Sequence, residues 1–115
     1  MLKDDLVYLN HMLDMAKKAI GKVATKSRAD FDADEDLRMV LAHLVQIIGE
    51  TARRVSTETR EHHPEIPWHK VIGMRHRIVH DYMDINQDIL WDVVSSDLRE
   101  LIPLLEAIVL QGTEM

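Results

Sequence analysis

The chain has 115 residues, of which 46% are hydrophobic and 30% are charged. This length suits one domain, residues 1–115, and the composition is that of a folded domain with a core rather than of a disordered chain. With four glycines, three prolines and 4% aromatic residues, a turn-rich barrel or sandwich is a poor fit, and helices are favoured.

Charge and cysteine content exclude several classes of function. The absence of cysteine rules out disulfides, a cysteine nucleophile and thiolate metal sites. The net charge of −6 argues against a general nucleic-acid coat, so any RNA binding needs a local basic patch. The acidic start, followed by no long apolar run, predicts no signal peptide and no membrane span, and we expect a cytoplasmic protein.

Two long amphipathic helices are predicted in the first half of the chain. Apolar residues repeat at steps of four and three over residues 2–23, which predicts the first helix. Acidic residues gather at positions 30–36, where Asp32 and Glu35 have the spacing of a capping box. The second helix is therefore expected to start there and to run to about residue 58, over roughly 35 Å.

Two further helices are predicted in the second half. Pro67 suits the first turn of a third helix that runs from residue 68 to about residue 82. Asp84 and Gln87 have capping spacing ahead of a fourth apolar stripe, in which Pro103 should introduce a kink. Short connections between long amphipathic helices predict an all-α fold, an antiparallel up-and-down bundle of four main helices.

Arg75 stands out on the predicted third helix. At 100° per residue it lies in the middle of an apolar arc formed by Trp68, Val71, Ile72, Ile78, Val79 and Tyr82. An unpaired guanidinium buried there would cost several kcal/mol, so a carboxylate or an anion must accompany it. A structural ion pair with an acid such as Glu50 and a contact with a phosphate are both open interpretations.

Two histidines flank Arg75. His76 and His80 are four residues apart and therefore neighbours, whereas His80 is about 140° away from Arg75 on an ideal helix. For Arg75 and His80 to act on one phosphate, either the helix ends near Val79 or a second subunit completes the site. The His76-x3-His80 spacing also fits two metal ligands on one helical face, which is a separate, metal-binding interpretation.

The string Gly-Met-Arg-His-Arg-Ile-Val-His-Asp-Tyr, which ends at Tyr82, resembles the signature of the HepT-like toxins of the HEPN superfamily. In that signature Arg, four residues, His, one residue and Tyr follow one another, and Arg75, His80 and Tyr82 occupy these positions. The resemblance extends to the Ile-Ile-Gly-Glu segment that ends at Glu50, to the entry of the third helix and to the acidic start of the fourth. One departure is His76, because many relatives have Asn after the arginine.

The resemblance implies a homodimeric helical bundle that cleaves RNA without a metal or cofactor, with Arg75 and His80 as catalytic residues. It also implies a partner, an MNT-domain nucleotidyltransferase antitoxin that uses ATP to transfer AMP to the motif tyrosine, here Tyr82. A histidine can serve as acid or base near neutral pH, and the planar donors of an arginine suit a phosphate. Attack of the ribose 2′-OH on the adjacent phosphorus would leave a 2′,3′-cyclic phosphate.

The remaining candidates have supporting roles. Lys70, Arg75 and Arg77 form a basic cluster around the motif, which is either a weak RNA-guiding patch or simply a solvated face, and His76 is a further accessory candidate. Glu50 is the candidate acid that orients Arg75, and no metal site is expected. Besides the toxin ribonuclease, a catalytically inert helical dimer that serves as a scaffold for the nucleotidyltransferase stays open as the alternative function.

Overall fold

The computed structural model describes residues 1–81 and 84–114, without the side chains of residues 80, 81, 113 and 114. Within these residues the elements are, in chain order, α1 (Lys3–Val23), α2 (Arg28–Ala33), α3 (Glu35–Arg54), α4 (Thr57–His62), α5 (Trp68–Ile72), α6 (Met74–Ile78), β1 (Val79–Asp81), β2 (Asp84–Ile85), α7 (Gln87–Asp92), a π-helical segment (Val93–Asp97) and α8 (Leu98–Glu114). Helix α1 packs against α3 and α8, and α3 also packs against α5 and α6.

The first predicted helix is confirmed as α1, but the cap of the second differs from the prediction. Ser27 caps the short extra helix α2, because its hydroxyl accepts from Asp30 N at 3.1 Å and its own N–H donates to the Asp30 carboxylate at 2.9 Å. Asp34 then caps α3 by accepting from Leu37 N at 3.0 Å. The predicted Asp32–Glu35 capping box is wrong, because Asp32 already lies inside α2.

The second helix also ends earlier than predicted, at Arg54 rather than near residue 58. Ser56 caps the separate helix α4, since its hydroxyl accepts from Thr59 N at 3.2 Å and donates to the carboxylate of Asp5 at 2.6 Å. Asp5 is buried, and it also accepts from Ser56 N at 2.9 Å and from the Thr59 hydroxyl at 2.6 Å. One buried carboxylate therefore joins the start of α1 to the start of α4.

The third predicted helix does not form as one rod. Helix α5 ends at Ile72, Gly73 separates it from α6, and α6 ends at Ile78, where the chain becomes the extended strand β1. A side chain at position 73 would place its Cβ 3.1 Å from the carbonyl oxygen of His69, which explains a glycine at the break. The prediction of a single helix from residue 68 to about residue 82 is therefore wrong.

The fourth predicted helix is present as α7, the π-helical segment and α8 in direct succession. Asn86 caps it, because the Asn86 side-chain oxygen accepts from Ile89 N at 3.0 Å. The predicted Asp84–Gln87 cap is wrong, since Asp84 belongs to β2. Pro103 lies on the exposed side of α8, and the helix continues through it to Glu114.

The core runs along the contacts between α1, α3, α5, α6 and the fourth helix. Its largest fully buried side chains are Phe31, Leu9, Met12, Leu41, Ile48, Ile66, Met74, Ile78, Leu90, Leu98, Leu105 and Ile108. Among the described elements, only the five residues of the β1–β2 ribbon are not helical, so the predicted all-α bundle is confirmed. The helices that the structure describes include none with the length and apolarity needed to cross a membrane.

Candidate active site

The break at Gly73 decides which way the motif residues face. Met74 and Ile78, which are four residues apart and share one face of α6, are buried in the core. Arg75 and His76 are consequently exposed. The expectation that Arg75 lies amid an apolar arc is therefore wrong, because it assumed one continuous helix and the short α6 takes its orientation from Met74 and Ile78.

The side chain of Arg75 reaches α3 and contacts an amide rather than an acid. Its Nε donates to the Oε1 of Gln46 at 3.3 Å. Glu50 lies one turn further along α3 and is exposed. The described contacts of Arg75 thus pair the guanidinium with a neutral partner, and an orienting role of Glu50 stays a prediction.

His80 lies on the strand that follows α6. The ribbon pairs Val79 with Ile85 and Asp81 with Asp84, and Asn86 N donates to Ile78 O at 2.6 Å where the ribbon meets the end of α6. Because the helix ends at Ile78, the separation of 140° between Arg75 and His80 no longer applies. The side chain of His80, and Tyr82 as a whole, lie outside the described residues.

The basic surroundings of the motif share one acid. Lys70 Nζ lies 3.6 Å and Arg77 Nη1 lies 3.4 Å from the same carboxylate oxygen of Asp97, which the π-helical segment supplies. This carboxylate joins α5 and α6 across the break at Gly73. The carboxylate of Asp97 therefore offsets part of the positive charge of Lys70 and Arg77. His76 is exposed.

An open groove of about 590 Å³ runs between α1 and α3 and includes Gln46, the hydrogen-bond partner of Arg75. Its lining residues are Val7, Tyr8, His11, His43, Gln46, Ile47, Glu50, Thr51 and Arg54. Gln46, whose amide holds Arg75, is the part of this lining that connects the groove to the motif. Groups of three or more His, Asp or Glu side chains that could hold a metal ion do not occur among the described residues.

The sequence matches a known protein family. The family model of HepT-like ribonucleases, "Ribonuclease HepT-like", matches residues 12–108. The chain belongs to the HepT-like ribonuclease family. The match includes α3 with Gln46 and Glu50, the whole of α5 and α6, and the ribbon.

Two relatives illustrate the similarity. A protein of Caldanaerobacter subterraneus subsp. tengcongensis named "Putative RNase TTE0752" is 32% identical over 100 residues, which cover 87% of this chain and 89% of that protein. "Probable ribonuclease HepT" of Thermococcus cleftensis is 31% identical over 72 residues, which cover 63% of this chain and 66% of that protein. No solved structure matches the chain. The expected resemblance to the HepT-like family is thus confirmed, and the family is one of ribonucleases.

The candidate site and its groove also include residues that the motif does not indicate. Gln46 interrupts the apolar run Leu-Val-Gln-Ile-Ile on α3, and a polar residue within such a run is a signal that could have identified it. His11 and His43 line the groove from α1 and α3, but on each helix they follow the ordinary polar side of the pattern. Only the three-dimensional pairing of the two helices brings them together.

Proposed function

We propose that this protein is a metal-independent endoribonuclease toxin of a toxin–antitoxin pair, acting in the cytoplasm as a homodimer. Its RNA products would carry 2′,3′-cyclic phosphate ends. The observation that carries the proposal is the position of Arg75, which is exposed and pairs with a neutral amide at an open groove. An Arg75 side chain that was buried in the core and paired with a carboxylate would have contradicted the proposal, because RNA could not reach it.

The proposed chemistry needs three contributions. A base takes the proton from the ribose 2′-OH, the freed oxygen attacks the adjacent phosphorus, and an acid protonates the departing 5′-oxygen. His80 supplies acid/base work, and Arg75 binds the phosphate and stabilises the negative charge that grows in the transition state. His76, exposed beside Arg75, and Lys70 and Arg77 would make accessory contacts to RNA.

A homodimer would supply the second histidine that an acid and a base together require. Two copies related by a two-fold axis can bring two pairs of Arg75 and His80 to one cleft. Large apolar side chains exposed beside the groove favour association, since Val7 is 58%, Met39 64% and Val40 41% exposed. Val7 lines the groove itself, and Met39 lies one turn before His43, which also lines it.

The proposed control of the toxin is transfer of AMP from ATP to Tyr82 by an MNT-domain nucleotidyltransferase antitoxin. The tyrosine follows His80 by two residues in sequence. A bulky group with negative charge so close to the motif would repel the phosphates of RNA from Arg75. Modification would therefore switch cleavage off.

The main test is cleavage of RNA in the presence of EDTA. Labelled total tRNA and a mixed-sequence single-stranded RNA are incubated with the purified protein, and product ends are read by mass spectrometry. Arg75→Ala and His80→Ala should each lower the rate by about a hundredfold or more, whereas Arg99→Ala, an exposed arginine on α8, should not. Folded Arg75→Ala and His80→Ala proteins that cut as fast as the parent would refute the proposal.

Mixing the parent with an inactive variant tests the shared site. If two subunits build one site that needs both histidines, mixed dimers of the parent with an excess of the Arg75→Ala/His80→Ala double variant should be inactive, and the rate per parental subunit should fall as the excess grows. Sedimentation velocity on the same samples gives the oligomeric state. Mixed dimers that form but leave the rate per parental subunit unchanged would show that each subunit holds a complete site.

Mass spectrometry tests the switch. After incubation with the antitoxin and ATP the parent should gain AMP, Tyr82→Phe should not, and loss of RNA cleavage should follow the gain. If the parent binds the antitoxin but cuts no RNA in any state, the chain is the inert scaffold.

A further inference from the structure

Gln46 occupies a half-buried position on α3 at which both ends of its side-chain amide are used. The Nε2 donates to the backbone oxygen of Ala42, one turn earlier, at 3.2 Å, and the Oε1 accepts from Arg75 Nε at 3.3 Å. The oxygen of Ala42 can only accept a hydrogen bond, and the Nε of an arginine can only donate one. The amide therefore satisfies both neighbours in a single orientation, with its oxygen toward Arg75.

We propose that Gln46 is a positioning residue that sets the guanidinium of Arg75 for the phosphate of the RNA substrate. This inference rests on the proposed ribonuclease function. Among the described residues, the Nε of Arg75 donates to the Oε1 of Gln46. This hydrogen bond uses the Nε side of the guanidinium, so the edge that carries Nη1 and Nη2 can face an anion. An arginine can grip a phosphate with that end-on pair of donors.

The neutrality of Gln46 matters as much as its reach. A carboxylate at this position would hold Arg75 equally well but would cancel its charge and repel the incoming phosphate. An amide oxygen fixes the direction of the side chain and leaves the full positive charge for the substrate. Arg75 is exposed and long, so without an acceptor on α3 its guanidinium would sample many rotamers, and the loss of that orientation slows a reaction that depends on position.

The Ala42 contact makes α3 the rigid support for this geometry. Ala42 lies in the middle of a 20-residue helix and is buried in the core. The amide of Gln46 therefore transfers the rigidity of α3 to a side chain that stands on the five-residue helix α6. Precise sites are better built on rigid elements than on short ones, and the pairing with Gln46 connects Arg75 to such an element.

The test compares two substitutions at position 46. Gln46→Met keeps the length and packing of the side chain but removes the acceptor, so kcat/KM for the RNA that the parent cuts should fall about ten- to a hundredfold. Gln46→Glu keeps an acceptor but adds a negative charge, so it should raise KM more than it lowers kcat. Gln111→Met, the same change on α8, is the matched control and should cut like the parent. Thermal unfolding of each variant is measured in parallel.

A second background shows whether Gln46 acts through Arg75. In Arg75→Lys protein, which keeps the charge but has no Nε or planar fork, Gln46→Met should have little further effect on cleavage. An equal loss in both backgrounds would overturn the inference, as would Gln46→Met protein that cuts at the parental rate while Arg75→Ala is inactive. If Arg75→Ala itself cuts at the parental rate, the ribonuclease proposal fails instead.

Discussion

Helices α1 and α3 bury their apolar side chains differently from the irregular segment, by which we mean residues 68–81 and 84–86. Both must bury apolar side chains, yet α1 and α3 run for 21 and 20 residues, whereas the segment is divided into two five-residue helices and a ribbon. Long helices bury a stripe at regular spacing. Short ones can be reoriented singly, and this freedom is what turns Arg75 toward solvent.

The motif takes its geometry from the regular helices. Arg75 is held by Gln46 of α3, and α5 packs its last backbone turn against Gly49 of the same helix. Helices α5 and α6 have only five residues each, and both contact α3. Changes in the regular region should therefore affect stability first, and changes within the segment should affect function with little effect on stability.

The largest effect on stability is expected from Asp5→Ala in the regular region. The substitution removes the acceptor for Ser56 N and for the hydroxyls of Ser56 and Thr59, and the free energy of unfolding should fall by about 2–4 kcal/mol. Urea unfolding measures it. Asp4→Ala, an exposed acid in the same helical turn, should have a much smaller effect.

The contribution of Asp5 should also depend on pH. Burial on its own raises the pKa of Asp5, but hydrogen bonds from Ser56 and Thr59 outweigh it and hold the pKa below its ordinary value of 3.8. A lowered pKa in the folded state means that the stabilisation is complete above the unfolded pKa and is lost as the pH falls through the folded pKa. The difference between parent and Asp5→Ala should thus stay constant from pH 7 to about pH 5 and shrink below about pH 4. A difference that grows on acidification would contradict this assignment.

An intermediate effect is expected from Gly49→Val, where the two regions meet. A Cβ at position 49 would lie 3.2 Å from the carbonyl oxygen of Val71 and 3.3 Å from that of Ile72, and valine adds two further methyl groups. Because these neighbours are backbone atoms, α5 must move, and the free energy of unfolding should fall by about 1–3 kcal/mol. RNA cleavage should fall as well, since α6 follows α5 directly.

The same substitution at Gly21 is the control for Gly49→Val. No atom lies within 4 Å of a Cβ built at Gly21, so Gly21→Val on α1 should leave both unfolding and cleavage close to the parental values. If Gly49→Val proved as stable and active as Gly21→Val, the contact between the two regions would not position the motif.

The regular region could be predicted from the sequence, and the irregular one could not, for identifiable reasons. The a/d seam of α1 and the stripe of α3 extend over many turns, so tertiary contacts reinforce the local pattern and the bundle follows. At positions 68–82 the apolar residues also fit one helix, and nothing in their spacing reveals that Gly73 divides it. That single break reverses the predicted burial of Arg75.

The motif predicts the residues of the candidate site but not their contacts. It indicates Arg75 and His80, whose roles stay predictions, and Glu50 was one candidate acid for Arg75, whereas the described hydrogen bond of Arg75 is to Gln46. Gln46 and Glu50 both lie on α3 and are one turn apart. The choice between them depends on where α6 lies relative to α3, which is a tertiary property. The same holds for Asp97, whose pairing with Lys70 and Arg77 requires the fourth helix to be in place.

The smallest of the expected effects on stability comes from Asp97→Asn, which removes the carboxylate that pairs with Lys70 and Arg77. Lys70 and Asp97 keep 47% and 20% of their side chains exposed, so losing the ion pairs should change the free energy of unfolding by less than about 1 kcal/mol. RNA binding should respond more. With their carboxylate removed, Lys70 and Arg77 can each neutralise a phosphate, and the logarithm of the binding constant should fall more steeply with the logarithm of salt concentration, by about 0.7 for each new phosphate contact with a single strand.

Asp88→Asn separates this local effect from a general change in charge. Asp88 also holds an arginine, since Arg28 Nη2 lies 2.6 Å from its carboxylate, and both substitutions remove one negative charge. Binding of a single-stranded RNA to the His80→Ala protein, which should bind without cutting, can be measured by fluorescence anisotropy at several salt concentrations. A steeper slope for Asp97→Asn than for Asp88→Asn would identify Lys70 and Arg77 as an RNA-guiding patch restrained by Asp97. Equal slopes would assign them to a solvated face, with Asp97 serving only to join α5 and α6 across Gly73.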